Sequence, residues 1–500
     1  MTVTDRVSRS LKRNLDALEA LLLLDSNDDM ILRRFRAIGL DCALVYIDGM
    51  SGGDSIAEHV LRPLLRSGEQ ANGERARALI AEELLETSEQ SESRDWTEVR
   101  RAVMAGQCAL FADTVDTAFL LDTRSYVKRS ISPPRVESVV IGPHEAFNES
   151  LRDNLTLLHR RVHSPQMLCK TIDVGRLVPT QASICWLSGV CPQSTLNELE
   201  RRMRSADVDD VLSGGMLNQL LEDDPGAPFP QLIATERPDR AVSFLLEGQA
   251  LVLLDGSPSA LAAPIGIWHL FHAPDDSAMR WQYGTFLRVV RLLGAVLALL
   301  LPAIFLALVL FSPLALPMTL LTSIMESRTV VPVGLFGEAV LMMTMFNLIN
   351  EASTRVPGLM GSSMGLVSAL ILGSAAVDAA VVSPLLIIVV ALGGLGSYAI
   401  PDYSLSFAFR ILQMAMLIAA GLMGLPGIAL VFLFTLCRVA GMTSLGQPYL
   451  APVSPRRVRN PDLLVRAPVY RQRLRTWLAQ PDRMLRSHGR MRGFPPKRRT

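Results

Sequence analysis

Few side chains in this 500-residue chain stand at spacings that do chemistry. His159 and His163 are four apart, so a helix would put both imidazoles on one face, the arrangement that holds a metal ion. No carboxylate or thiol stands at ligand spacing beside them, and the pair reads as surface residues. Asp255-Gly256-Ser257-Pro258 has the outline of a nucleophile turn, but without a Gly-x-Ser-x-Gly frame a tight turn is the better reading. No P-loop, dinucleotide fingerprint or HExxH occurs. Cys42, Cys108, Cys169, Cys185, Cys191 and Cys437 show neither CxxC nor Cys/His spacing, which fits reduced structural thiols. No catalytic residue, metal or cofactor is expected on these grounds, and an enzyme is the least favoured class.

Polar groups inside the apolar second half carry more information. Between Leu292 and Met442 the charged residues are Glu326, Arg328, Glu338, Glu351, Arg355, Asp378, Asp402, Arg410 and Arg438. A charge at bilayer depth costs about 2.5–3.5 kcal/mol on insertion scales, so it normally faces protein or water. Glu338, Asn347 and Asp378 are therefore candidates for an ion path or its gate. Glu351 and Arg355, at i,i+4, read as a helix-end salt bridge.

The elements that must position these residues fall into three regimes, which a net charge of +1 conceals. Before Arg288 acids and bases alternate; the middle is apolar; the tail from Arg456 is basic. Residues 1–30 read as an amphipathic helix, with Leu11, Leu15, Leu18 and Leu22 on one stripe and an apolar core too short for a signal peptide. Strand patterns at 42–47, 108–112 and 117–121, then again at 182–187, predict two α/β subdomains, 31–135 and 136–285. Phe244–Leu246 and Ala250–Leu254 read as a hairpin closing on Asp255-Gly256, and Phe147, Leu151, Leu155 and Leu158 as the stripe of a helix. Residues 286–455 read as an all-α polytopic membrane domain of four to six helices, and 456–500 as a disordered cytoplasmic tail. Arg288 and Arg291 before the first span, and the tail arginines after the last, place both ends in the cytoplasm and require an even number of crossings. The tail suits anionic lipid better than nucleic acid, because it directly follows a span.

From Gly142-Pro143-His144-Glu145-Ala146-Phe147 through Asn154 to Arg160-Arg161, the chain resembles the A subunits of the GerA family of spore germinant receptors. The resemblance continues through Asp255-Gly256-Ser257-Pro258, Glu338, Glu351 with Arg355, Ser383-Pro384 and Gln447-Pro448-Tyr449-Leu450-Ala451-Pro452, in order, from about residue 40 to 455. It implies a non-enzymatic, homo-oligomeric protein of the spore inner membrane. It implies as partners a transporter-like B subunit and a lipoprotein C subunit, with nutrient binding passed on to ion release. Its departures lie where the family usually carries further carboxylates, here Met343, Asn347 and Asn350, and where it commonly has Gln, here Ser374 and Asp378. Arg410 is retained, while the second Arg of that element is Gln413. A stage V sporulation paralogue of the same superfamily is the alternative within this resemblance. A stand-alone secondary transporter, from another class, is disfavoured by the lack of an inverted repeat.

Overall fold

The computed structural model describes residues 6–87, 89–125, 134, 137, 139, 141–355, 373–456, 462–463, 465–476 and 478–486, without the side chains of 353–355. Its first half contains one design built twice. The first copy runs α1 (Leu11–Leu22), β1 (Met30–Ala37), β2 (Leu40–Ile47), helical stretches over 53–66 and 74–84, β3 (Gln90–Ser93), α2 (Trp96–Met104), β4 (Cys108–Ala112) and β5 (Ala118–Leu121). The second runs α3 (Leu151–His159), β6 (Met167–Val174), β7 (Thr180–Leu187), α4 (Gln193–Ser205), α5 (Gly214–Leu221), β8 (Ile233–Thr235), α6 (Pro238–Glu247), β9 (Ala250–Leu254) and β10 (Ala260–Ala263). The sheets are ordered β1-β2-β4-β5-β3 and β6-β7-β9-β10-β8, strand for strand the same, with every pairing antiparallel.

Helices cover both faces of each sheet, which is why the central strands are unbroken apolar runs. Along β4, Cys108, Leu110 and Ala112 enter the core under the 53–84 helices, while Ala109 and Phe111 enter the core under α1 and α2. Along β9, Ala250, Val252 and Leu254 face α4 and α5, while Leu251 and Leu253 face α3 and α6. The residues expected as a strand at Phe244–Leu246 belong instead to α6. Pro238 starts that helix and Gly248, at φ 97°, ends it, so the apolar run is one helical face and β9 pairs with β10 across the Asp255-Gly256 turn.

The second half is helical: α7 (Trp281–Phe311), α8 (Met318–Arg328), α9 (Leu335–Arg355), α10 (Pro384–Tyr398), α11 (Tyr403–Met423) and α12 (Leu425–Gly441). Among the described residues, α7 and α11 are long and apolar enough to cross a membrane, and α10 and α12 are shorter apolar helices. Glycines set the closest approaches: Gly294 of α7 and Gly396 of α10 leave no room for a Cβ between the two backbones. A short hairpin, β11 (Thr443–Ser444) with β12 (Gln447–Pro448), then leads back to the second repeat.

The tail departs from the disorder expected of it. Arg466 and Leu478 are buried; Arg466 donates to the Met279 carbonyl at 3.0 Å, Arg475 donates to the Leu246 carbonyl at 2.6 Å and Arg486 pairs with Glu247, so the described part of the tail is attached to the second repeat. The segment lacks an apolar period because its arginines, rather than hydrophobic side chains, attach it to backbone carbonyls.

Candidate functional site

The motif residues of the second repeat make an interlocking clamp at the start of α3. Asn154, fully buried, accepts from the Asn148 N–H at 2.8 Å and donates to the Asn148 carbonyl at 2.6 Å. Asp255 accepts from the Leu151 N–H at 3.0 Å, satisfying a first-turn donor that the helix itself leaves open. Gly256, at φ 80°, donates to the Glu149 carbonyl at 2.7 Å, and Pro258 is exposed. Ser257 Oγ lies 3.3 Å from Ser259 Oγ and has no hydrogen bond to a histidine among the described residues, which fits a structural turn. Phe147 is buried and donates to the Glu236 carbonyl at 2.8 Å; Glu145 pairs with Arg161 at 2.6 Å. Arg160 caps the C-terminus of α3, while Gly142, at φ 142°, and the exposed Pro143 precede the clamp.

The first repeat contains the same clamp in different residues. Asn14 accepts from the Ser8 N–H at 2.8 Å and donates to its carbonyl at 2.6 Å, and Asp113 accepts from the Leu11 N–H at 2.9 Å. Thr114 donates to the Arg9 carbonyl at 2.7 Å, as Gly256 does to Glu149. The sequence signal was an Asn six residues after a polar turn and an Asp closing the fourth strand, too sparse to register as a repeat.

Two junctions fasten the second repeat to the helices. At the far end of α12, Asp223 accepts from Thr443 Oγ1, the Leu445 N–H (3.1 Å) and the Gly446 N–H (3.0 Å). Burial alone would raise the Asp223 carboxyl, but the hydrogen bonds from Thr443 and Gly446 and the Arg202 charge hold it below its usual range. Ser444 donates to the Gln231 carbonyl at 2.6 Å, and Tyr449, fully buried between Pro448 and the Ala451-Pro452 turn, donates to the Pro230 carbonyl at 2.7 Å. At the start of α7, Asp276 pairs with Arg288 at 3.1 Å and with Arg291 at 2.8 Å, and Arg466 donates to the backbone of Met279. A cleft of about 310 Å³ opens here, lined among others by Arg240, His272, Arg288 and Arg486. His269, half-buried in its wall, is pushed down to about 4 by desolvation, and His272 is lowered further by desolvation with Arg288 nearby.

Within the helices the three candidate path residues do not converge. Glu338 is fully buried in the first turn of α9, where one carboxylate oxygen accepts from both the N–H and the hydroxyl of Ser383, the residue that precedes Pro384 at the start of α10. An anion at a helix N-terminus is favourably placed. Arg328 lies 3.7 Å from its other oxygen. Asn347 is nine residues further along α9, half a turn out of phase, so it faces the opposite side. Asp378 is exposed, and no hydrogen bond or ion pair joins it to either among the described residues. The Glu351–Arg355 pair lies outside the described residues, because the Arg355 side chain does. Asn350, marked in the sequence only as a departure from the family pattern, has its amide between Tyr398 and Arg410; with its oxygen toward the guanidinium it accepts from Arg410 and donates to the phenol at 2.7 Å.

A duplicated α/β unit is thus fastened at two points to a bundle of apolar helices, two of them long and apolar enough to cross a membrane. The chain belongs to the GerA family: the family described as Bacillus/Clostridium GerA spore germination protein matches residues 19–477. It is 33% identical over 454 residues to spore germination protein B1 of Bacillus subtilis, covering 90% of this chain and 92% of that one. To spore germination protein GerLA of Bacillus cereus it is 32% identical over 434 residues, covering 86% and 88%. The crystal structure of the N-terminal domain of the A subunit of the Bacillus megaterium spore germinant receptor GerK3 is 25% identical, covering 53% of this chain and 98% of that one, with a TM-score of 0.41.

Proposed function

We propose that the chain is the A subunit of a nutrient-responsive germinant receptor in the spore inner membrane, and that it passes a signal from its second α/β repeat into a helical bundle that conducts ions. The observation that carries this reading is the double fastening through Asp276 at the start of α7 and Asp223 at the end of α12. A shift of the second repeat cannot leave the helices where they were.

The same fastening supports a topology. Both ends of the bundle meet one subdomain, so the number of crossings between them is even. The α10–α11 turn, through Ile400 and Leu405, shares the hydrophobic cluster of the second repeat. Phe311, Gly424, Phe336 and Ser383 mark the opposite level, where Phe311 touches Gly424 and Phe336 touches Gly421. α7, α9, α10, α11 and α12 each run between these levels, and an even number of crossings puts both ends of the bundle on the cytoplasmic side.

With further copies of the chain, the face of α9 formed by Gly337, Leu341, Thr344, Leu348 and Glu351, all exposed, turns toward a neighbouring subunit. Asn347 and Asp378 then line a path between subunits, while Glu338, held by Ser383, positions the α9–α10 contact. A transporter-like B subunit senses the nutrient, a lipoprotein C subunit completes the receptor, and exposed tail arginines such as Arg471 meet anionic lipid. The chain performs no catalysis; a ligand bound elsewhere shifts the equilibrium between two states of the assembly. Deleting the gene and following potassium and dipicolinate release across amino acids, sugars and nucleosides tests this. Loss of the response to one nutrient class supports it, and uniform slowing across all of them contradicts it.

A further inference from the structure

Between the two repeats lies a cluster that the germination reading does not use. Asp29 from the first repeat, with His159 at the end of α3, Cys169 on β6 and Cys185 on β7, brings four metal-binding side chains together. His159 Nε2 is 3.1 Å from Asp29 Oδ2, and the ligand atoms of Asp29, His159 and Cys169 all lie within 4.8 Å of one another. Cys169 and Cys185 are directly opposite on paired strands, with sulfurs 3.1 Å apart. His159 is 1% exposed, both thiols 0% and Asp29 9%. His159 Nδ1 has no hydrogen-bond partner among the described residues.

We infer that these four residues form a tetrahedral site for a thiophilic divalent cation, zinc by chemistry, which cross-links the two repeats. Two thiolates, an imidazole and a carboxylate exclude magnesium and calcium, which take oxygen ligands, and suit zinc. Bonds of about 2.3 Å to sulfur and about 2.0 Å to nitrogen or oxygen set ligand atoms roughly 3.3–3.8 Å apart, so the Asp29–His159 and Cys169–Cys185 pairs, each 3.1 Å apart, open by less than about one ångström while the Cys185 sulfur moves toward the other pair. The ion would take the place of the proton shared by Asp29 and His159, and the two thiols would release theirs.

The frame is already rigid. The Asp28 N–H donates to the Cys169 carbonyl at 3.0 Å, Asn27 accepts from the Cys169 N–H at 3.3 Å, and Asp28 accepts from the Thr171 N–H at 2.8 Å. The 27–29 turn is thus stitched along the edge strand β6, holding the one ligand from the first repeat in register with the other three. Burial on all sides means that the ion is taken up as the repeats close and exchanges slowly with a chelator.

The test uses the full chain in detergent, reduced and metal-free. Zinc uptake should approach about one ion per chain, cobalt(II) should give a thiolate charge-transfer band with tetrahedral ligand-field absorption, and zinc should raise the melting temperature. Replacing both thiols, Cys169→Ser with Cys185→Ser, should abolish all three signals. Should that variant fold poorly, Asp29→Asn decides: it keeps the hydrogen bond to His159 and should weaken zinc binding by on the order of tenfold or more. A folded wild-type chain that takes up no zinc and gives no cobalt spectrum overturns the site. So does a Cys169–Cys185 disulfide that reforms in air without metal uptake, and undiminished affinity in Asp29→Asn removes the cross-link between repeats.

Discussion

The two repeats share strand order, clamp and helix placement, yet only one of them continues into the apolar helices. The cores on both sides of the first sheet are closed, containing residues of 7–121 alone. In the second repeat, the core under α3 and α6 runs on through Phe271 to Ala295, Ile400, Leu405, Ala408, Val439 and Tyr449. A duplicated unit has thus kept its internal hydrogen bonds while one copy opened a face to the bundle. The geometry the two copies share belongs to the fold, and the asymmetry lies in the contact that one of them makes with the helices.

The largest effect that would break this comparison is at the α7 junction. Asp276→Ala leaves Arg288, 4% exposed, with Asp462 at 2.7 Å as its remaining carboxylate and takes away the partner of Arg291, a loss of at most about 3–5 kcal/mol. A detergent melting curve should fall steeply, and an unchanged melting temperature would mean that the junction is not a structural link.

Paired clamp variants sharpen the comparison next. Asn14→Ala and Asn154→Ala each delete two hydrogen bonds at a buried site, and each should cost about 2–3 kcal/mol. Their stability losses should match, while only Asn154→Ala, whose repeat is fastened to the helices, should slow ion release at equal protein abundance. Equal slowing in both would place the coupling in the whole soluble half.

The two half-buried histidines of the cleft give a smaller effect with a definite sign. His269 has a folded-state value of about 4, against 6.5 for an ordinary imidazole. The unfolded chain therefore binds more protons between those values, and stability falls as pH drops from 6.5 toward 4. His272, lowered further by burial, extends the loss below that window. His269→Gln should flatten the part of the pH–melting profile between 6.5 and 4. The smallest effect is at the exposed ion pair between repeats: Arg152→Ala, removing the contact to Asp48, should change stability by less than about 1 kcal/mol.

How much of this was legible follows the physics of each element. β2, β4, β5, β7 and β9 were readable because they are buried on one or both faces and bounded by turn residues. β1 and β6 were hidden: both are edge strands, and Arg33, Arg34, Arg36, Lys170 and Asp173 give them the charged look that keeps such edges from pairing with other chains. α6 was misread although Pro238 and Gly248 marked its ends, because a three-residue apolar run fits either period. The Asp-Gly turn was legible as a turn, but its partner, the Leu151 N–H, is 104 residues away. The His159 cluster was illegible for the same reason: the sequence showed His163 four residues on, which is exposed, while Asp29 lies 130 residues off. Glu338 and Asn347 stood out as polar residues in an apolar stretch, but phase along α9 sends them to opposite sides.

The most direct test of the coupling account is potassium release from spores whose only copy of this chain carries Asp223→Ala with Ser444→Ala, at wild-type abundance in the inner membrane. Both residues lie outside the helices and fasten the end of α12 to the second repeat. The account predicts that the protein accumulates normally but that release on nutrient exposure is lost or delayed. Release at the wild-type rate would contradict it and place the gating signal on a route that bypasses the second repeat.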